Sequence, residues 1–502
     1  MFKIKTKKAF TIIELMVVIA VIGILVLMAA PKFIDIMEET KIVRIQNDIK
    51  VVEGKVMEEY IESNDIKKEM FAVNLNNVYG NIYNTRGKVE GYIEGKYKIV
   101  EKKIIYSAQT RLKGTFYSNA RGGVYYVEEK MSTKDVKDVE FAKSEDFEWF
   151  TDINGYNNVN GEFGYYKYIG NSDTVKIPKK INGTLMTSYY KMFEGKLNTS
   201  SINIISNNKI NNMNSMFLNS ELEIINVSNL NTSKVQHMSC MFSGLQAKVV
   251  NGLNYFDTSE VIDMSMMFHN SELIVLNLDN FITLKAINMK AMFEGSKALF
   301  INIEGFDTSN VIDMSWMFRL NKLETLNLSN FDTSKVVDLT AMFAGAEIKT
   351  LLGLKNFNTS NVTNMSSMFY YSKINNLDLS NFDTSNVIMM KEMFAGSKAT
   401  KINISSFNTF NVIDMSYMFG GVRIPELNLN KFETGQVTNM TGMFGNVAIN
   451  SLNLSSFNIK NSIMTDIFTG SEIKNCYINQ ESEVKFKSIE NNNPKDINFV
   501  LI

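Results

Sequence analysis

Few side chains in this sequence combine the type and the spacing that chemistry needs. The two histidines, His237 and His269, fall at non-equivalent positions of one recurring motif, so a zinc site or a histidine general base has little material. The two cysteines, Cys240 and Cys476, lie far apart and form neither a paired metal motif nor a disulfide framework. Methionine pairs such as Met314 with Met317, or Met415 with Met418, set thioethers three residues apart, and thioethers favour Cu(I). The same positions recur in almost every repeat, however, and Leu339 replaces one of them, which points to core packing by an adaptable side chain. The sequence holds no phosphate-cradling glycine loop and no nucleophile elbow, and its recurring Asp and Ser residues belong to repeat turns. No catalysis, no cofactor and no bound metal are expected. The carboxylate that stands out is Glu14, because it sits inside an apolar run.

That run extends from Phe10 to Ala30 and follows Lys3, Lys5, Lys7 and Lys8. About 21 residues at 1.5 Å each give roughly 31 Å, enough to cross a bilayer core. The lysines are expected to stay in the cytoplasm, which leaves the bulk of the chain outside. The run exceeds the apolar stretch of about 7–15 residues in a cleaved secretory signal. A carboxylate at the centre of such a span costs about 2.5–3.5 kcal/mol, less near the interface. The span contains no positive charge, so the partner of Glu14 must come from elsewhere.

The stretch "KKAFTIIELMVVIAVIGILVLMAAP" resembles the class III signal of type IV pilins and type II secretion pseudopilins. The resemblance covers roughly the first 60 residues. It implies that a prepilin peptidase removes residues 1–9 by cutting between Ala9 and Phe10, and that Phe10 is then N-methylated. It also implies that Glu14 pairs with the new amine of a neighbouring pilin or pseudopilin subunit, and that Pro31 loosens the helix. The sequence departs from that pattern at Ala9, where the family's leader usually ends in Gly.

Stepping along the chain, Ile42, Ile45, Ile49, Val52 and Val56 form one apolar helical stripe, so a helix over residues 10–63 with a bend at Pro31 is expected. Residues 64–160 read as a strand-rich segment, with "GKYKIVEKKIIYSAQT" and "GGVYYVEE" as candidate strands. Lys96, Lys98, Lys102, Lys103 and Arg111 interleave there with Tyr92, Tyr97 and Tyr106, as in a groove for single-stranded nucleic acid. Glu90, Glu94 and Glu101 dilute the pattern, and the 502-residue chain has a net charge of -1, so nucleic acid is not the expected partner.

From about residue 163 to 480 the chain repeats itself every 25 residues or so. Met-Phe closes the units at Phe193, Phe217, Phe242, Phe268, Phe293, Phe318, Phe343, Phe369, Phe394, Phe419 and Phe444, with Ile467-Phe468 as a degenerate last copy. In the unit that begins at Ile374, Ile374, Leu377 and Leu379 follow the pattern L-x-x-L-x-L of a leucine-rich repeat. "FDTS" reads as a turn, and Val387, Met390, Met393 and Phe394 then recur at helical spacings, which predicts a short helix or 3-10 turn. One unit cannot bury its own apolar face, so units must stack into a solenoid with a parallel sheet. Residues 481–502 are left as a C-terminal cap. The fold class is therefore α+β, with a long N-terminal helix, a strand-rich middle and a leucine-rich repeat solenoid.

The array resembles the BspA-type leucine-rich repeat surface proteins of bacteria, over more than half the chain. The resemblance implies surface exposure and a role in adhesion to an extracellular protein or glycan. Combined with the N-terminal signal, it predicts a pilin-like surface protein held in the cytoplasmic membrane by residues 10–30, or built into a filament. The alternatives are a minor pseudopilin of a type II secretion-like machine and an anchored surface protein that never polymerises. Within each strand, the position between the two core leucines points away from the core. That column, Asn226, Asn277, Asn302, Asn327, Asp378, Asn403, Asn428 and Asn453, is the expected ligand-binding concave face, unless its amides merely satisfy one another.

Overall fold

A computed structural model describes the backbone of strands between residues 70 and 128, and residues 139–502 apart from 153–154, 156, 160–161 and 489–496. The leader, the helix expected over residues 10–63 and the residues Ala9, Phe10, Glu14 and Pro31 lie outside the described residues. Among the described residues no helix is long and apolar enough to cross a membrane. The chain divides into two units, Met1–Glu129 and Lys130–Ile502.

In the first unit, β1 (Met70–Val73), β2 (Tyr92–Val100), β3 (Lys103–Thr110), β4 (Gly114–Ser118) and β5 (Val124–Glu128) form one antiparallel sheet in sequence order. Each strand pairs with the next in the chain, and β2 and β3 meet over the longest stretch, from Tyr92↔Thr110 to Val100↔Lys103.

The second unit is mostly a β-solenoid. It opens with a small antiparallel sheet of Phe147–Thr151, Asn158–Val159 and Glu162–Tyr168. Its coils then contribute parallel strands. Thr174–Lys176, Ser201–Ser206, Ile224–Leu230 and Val249–Asn251 make one sheet. The following six coils pair two by two, for example Asn376–Asp378 with Lys401–Asn403. Strands Ala448–Asn453, Glu472–Ile478 and Asn498–Leu501 close the end. A second parallel ladder of single bridges runs along the Met-Phe side without these interruptions, from Ser188↔Asn212 to Asn439↔Ile463.

The apolar spacing of the sequence is the core of every coil. In the unit from Ile374, the side chains of Ile374, Leu377, Leu379, Phe382, Val387, Met390, Met393 and Phe394 are all buried. The methionine pairs Met314/Met317 and Met415/Met418 lie wholly in this core. The Met-Phe phenylalanines stack from coil to coil: Phe268 and Phe293 have centroids 5.8 Å apart and rings 1° from parallel. The file continues from Phe193 to Phe468, and Phe486 and Phe499 cover its last ring at 5.8 and 6.1 Å.

Of the short helix or 3-10 turn expected after "FDTS", the structure has turns and no helix. The segment from Val387 to Phe394 is a chain of turns, and the N–H groups of Met390, Glu392 and Phe394 donate to Asp414, Ser416 and Met418 of the next coil at 2.8–3.0 Å. The N–H groups of Met393 and Ala395 turn back three residues, to Met390 at 3.3 Å and Glu392 at 3.0 Å. A helix would need every N–H to bond four residues back along its own chain. Glu392 also has φ 56°, and the equivalent residue of each coil, such as Trp316 or Tyr417, is left-handed too. Among the described residues the one α-helix is α1 (Gln480–Ser488), in the cap.

Two coils are one residue longer than their neighbours, Phe242 to Phe268 and Phe343 to Phe369. The extra residue is absorbed by a 3-10 turn, Leu253–Tyr255 and Leu354–Asn356 respectively, entered through a left-handed glycine with φ 95° at Gly252 and 94° at Gly353. A Cβ at Gly353 would fall on the Leu328 carbonyl carbon, so only glycine fits.

Candidate recognition surface

The solenoid presents three kinds of polar column, each set by one repeat position. The first lies on the strands. Asn226, Asn277, Asn302, Asn327, Asp378, Asn403 and Asn453 sit at corresponding strand positions, and Asn428 occupies the same place in a coil without a strand, where Pro425 intervenes. The pairing adds Asn203 and Asn251, which the repeat pattern read from sequence omitted, and it interrupts the column at Leu352, opposite Asn327.

These amides are mostly committed to their own coil. The Oδ1 of Asn327 accepts from the Ser329 N–H at 3.1 Å, that of Asn428 from Asn430 at 3.1 Å and that of Asn453 from Ser455 at 3.0 Å. Asn226 likewise accepts from both the N–H and the hydroxyl of Ser228. Amide-to-amide rungs form at two steps, from Asn302 Nδ2 to Asn277 Oδ1 and from Asn403 Nδ2 to Asp378 Oδ1, each at 2.8 Å. The hydroxyl of Ser380 and then burial, its backbone N–H, Asn403 and Lys401 act on Asp378, and the net effect holds its carboxyl below the ordinary range. The oxygens of Asn226, Asn302, Asn327, Asp378, Asn403, Asn428 and Asn453 thus each close a turn, which leaves the Nδ2 donors of Asn327, Asn428 and Asn453 out of that bond.

The second column is the threonine of "FDTS". Thr308 is buried, donates through Oγ1 to the Asp332 carbonyl at 2.8 Å and accepts from the Asp332 N–H at 2.8 Å. The same double contact to the next coil is made by Thr258, Thr283, Thr384, Thr409 and Thr434. Sequence reading assigned these hydroxyls to local turns. They stitch neighbouring coils instead, and the partner lies a full repeat away, where no local pattern reveals it.

The third column flanks the Phe file, and its character changes along the array. In the first half it carries His269, Glu294, Trp316 and Arg319. Arg319 pairs with Glu294 at 2.7 Å, and His269 stands 3.9 Å from the same carboxylate with its Nδ1 against Ser243 Oγ at 3.0 Å. Burial, more than Arg319, pushes the His269 pKa down against the opposing pull of Glu294. His237 lies on the bridge column, paired with Asn212 and Asp263, so the two histidines do not meet in one site. In the second half the same positions hold Gly420, Gly421, Gly442 and Gly445 beside Tyr371 and Tyr417. Cys476 is buried, which pushes its thiol up to about 12, and Cys240 is half-buried on a left-handed turn. Among the described residues no three His, Cys, Asp or Glu side chains gather as a metal site would require.

A stacked β-solenoid built from a turn-rich repeat, with polar columns and no assembled reactive centre among its described residues, is a repeat scaffold. Residues 185–301, 288–401, 347–457 and 370–481 match the family described as Mycoplasma protein of unknown function, DUF285; together the matches span 185–481, more than half the chain, which belongs to that family. Residues 4–30 match the prokaryotic N-terminal methylation motif, so the solenoid follows a prepilin-like signal of the kind that prepilin peptidase processes for pilin-type assembly. No curated protein matches the chain.

Proposed function

We propose that the protein is a pilin-like subunit that displays its solenoid outside the cell as a non-catalytic adhesion or recognition module, of the BspA-type leucine-rich repeat kind. The observation that carries this reading is the joining of a methylation motif at residues 4–30 to a long repeat array whose strand column is amide-rich and half-buried to exposed from Asn277 to Asn453. In this reading the leader ends at Ala9, Phe10 becomes the methylated N-terminus, and Glu14 pairs with the amine of a neighbouring subunit. That pairing removes an otherwise unmatched carboxylate from lipid. Pro31 marks the bend of the anchor. The strand column then offers outward Nδ2 donors spaced one coil apart, suited to an extended protein or glycan.

The test has two parts. N-terminal sequencing of the mature protein should begin at Phe10; a chain that retains Met1 contradicts the pilin-like route. Cells displaying the protein with Asn327, Asn403 and Asn428 all changed to Lys should lose adhesion, since each lost hydrogen bond costs about 0.5–1.5 kcal/mol. The protein itself should stay folded at the assay temperature, with a melting temperature lowered by the loss of the turn bonds from the N–H groups of Ser329, Ser405 and Asn430. Undiminished adhesion by the folded triple variant removes the strand column from the reading.

A further inference from the structure

Between coils closed by Phe369 and Phe468 the Phe-file side of the solenoid is hollow. The hollow measures about 660 Å³, within the range of small-molecule sites. Its floor is backbone at Gly420, Gly421 and Gly445, where the other half of the array carries Arg319 and Leu320 at the corresponding positions. Its walls are two tyrosine rings. Tyr371 reaches across to the next coil and lies flat on Gly396: a Cβ there would meet Cε1, Cε2 and Cζ of the ring, all at 2.8 Å. Tyr417 lies against Gly442 in the same manner, one coil onward from its own. Each ring is seated on a glycine, and Tyr371 and Tyr417 remain 56% and 44% exposed. Tyr370 braces Tyr371 edge-on with centroids 4.6 Å apart. The glycines do two jobs here, allowing left-handed turns at Gly396, Gly421 and Gly442 and making room for a ring.

The carboxylates at the rim, Glu392 and Asp466, are acceptors, and Asn446, Thr469 and the tyrosine hydroxyls can also donate. Glu392 accepts from Ser367 Oγ at 3.1 Å and is balanced by Lys391 at 3.5 Å, and Asp466 accepts from Thr469 Oγ1 at 3.1 Å. No lysine or arginine lines the hollow, so an anionic ligand has nothing to neutralise it. Glu392 is already offset by Lys391, which weakens the pull on a cation. Flat aromatic faces attract C–H groups through their negative π surface, and carboxylate and carbonyl oxygens accept from hydroxyls. A ligand with C–H faces, many hydroxyls and no charge satisfies all of these demands together.

We propose that this hollow is a binding subsite for a neutral glycan chain, stacked on Tyr371 and Tyr417 and hydrogen-bonded to Glu392, Asp466 and the glycine backbone. It rests on the recognition reading above but lies on a different column, so the two can fail separately. The probes are cellotetraose, maltotetraose and chitotetraose, titrated calorimetrically into the full-length protein in detergent. At least one should bind. Tyr417→Ala should weaken it at least tenfold. Gly420→Gln should do the same by filling the floor, and it should fold normally, because no atom lies closer than 3.4 Å to a Cβ at that position and its φ is not left-handed. Glu392→Gln should weaken binding several-fold. Absence of binding by all three oligosaccharides overturns the proposal, as does binding that survives both Tyr417→Ala and Gly420→Gln. Binding of hexaproline, competed by none of the three sugars and lost in Gly420→Gln, overturns it in favour of an extended peptide. If Gly420→Gln abolishes sugar binding while cells still adhere, the subsite stands and adhesion belongs to the strand column. If the strand-column variant alone abolishes adhesion and no sugar binds, the recognition reading stands and the subsite falls.

Discussion

At the residue scale the array is governed by where a side chain may not be. Gly353 and Gly435 look alike in the sequence, yet the structure separates them. Gly353 is left-handed at φ 94°, and a Cβ on it would run into backbone at Leu328, which cannot yield as a flexible side chain would. Gly435 has no atom within 4 Å of a would-be Cβ and no left-handed φ. Gly353→Ala should cost roughly 2–4 kcal/mol, from backbone strain and overlap together. Gly435→Ala should instead stabilise by about 0.4–1 kcal/mol, because it restricts the unfolded chain. Thermal unfolding of the two variants checks both signs; an unharmed Gly353→Ala protein would show that the long coil relaxes around the added methyl. That two repeats are one residue longer is plain in the spacing of Phe242 to Phe268 and Phe343 to Phe369. What absorbs the extra residue is not plain, because a glycine in "LGLKNF" carries no sign of the backbone it will lie against in the preceding coil.

At the scale of the element, the "FDTS" turn is where sequence reading was half right. Asp, Thr and Ser do make a turn: Asp307 Oδ1 accepts from the N–H and the hydroxyl of Ser309, at 3.0 and 2.6 Å. The hydroxyl bond first, and the backbone bond second, hold the carboxyls of Asp257, Asp307 and Asp383 below the ordinary carboxylate range against a smaller opposing effect of burial. A carboxyl whose folded pKa is depressed contributes stability above its unfolded pKa, and that contribution is lost as pH falls through the folded value. The solenoid should therefore lose stability progressively below about pH 4, the unfolded Asp value. Asn358 and Asn408 already occupy the equivalent place and accept the same backbone bond, at 3.1 and 3.0 Å, so the triple change Asp257→Asn, Asp307→Asn and Asp383→Asn should fold. Its melting temperature should drop less between pH 7 and pH 3 than that of the parent. Residual acid sensitivity should remain from the Glu260–Lys285 and Glu347–Lys322 pairs. An unchanged drop would mean that the turn carboxyls titrate alike in the folded and unfolded chains. The sequence leaves a helix and a 3-10 turn open between Val387 and Phe394, because apolar residues three apart satisfy both a helix and a ladder of i+3 turns. Only the partner of each N–H tells them apart, and that partner lies in the next coil.

At the scale of the whole molecule, the solenoid half of the chain was legible from the repeat alone: Ile374, Leu377, Leu379, Met390, Met393 and Phe394 are core by pattern and core in the structure. The hollow at Tyr371 and Tyr417 was not, since it arises from glycines in several coils that face one another only after stacking. An array of this kind has stability that is close to a sum over coils and their interfaces, so damage should stay near where it is made. The ends decide whether the core is closed. At the C-terminal end, Phe486 of α1 is fully buried and covers the last ring of the file, with Phe499 stacked on it 6.1 Å away. Phe486→Ala should remove about 3–5 kcal/mol of packing at that end. Hydrogen exchange in the variant should speed up in the strands Glu472–Ile478 and Ala448–Asn453 and leave Ser201–Ser206 and Ile224–Leu230 at their native rates. Phe318→Ala, in the middle of the file, should instead raise exchange on both sides of its coil, because it loses stacking partners at Phe293 and Phe343 together. Uniform acceleration across the solenoid in the Phe486 variant would mean that the coils unfold as a single cooperative block. The cap would then set the stability of every coil, including those that line the tyrosine hollow.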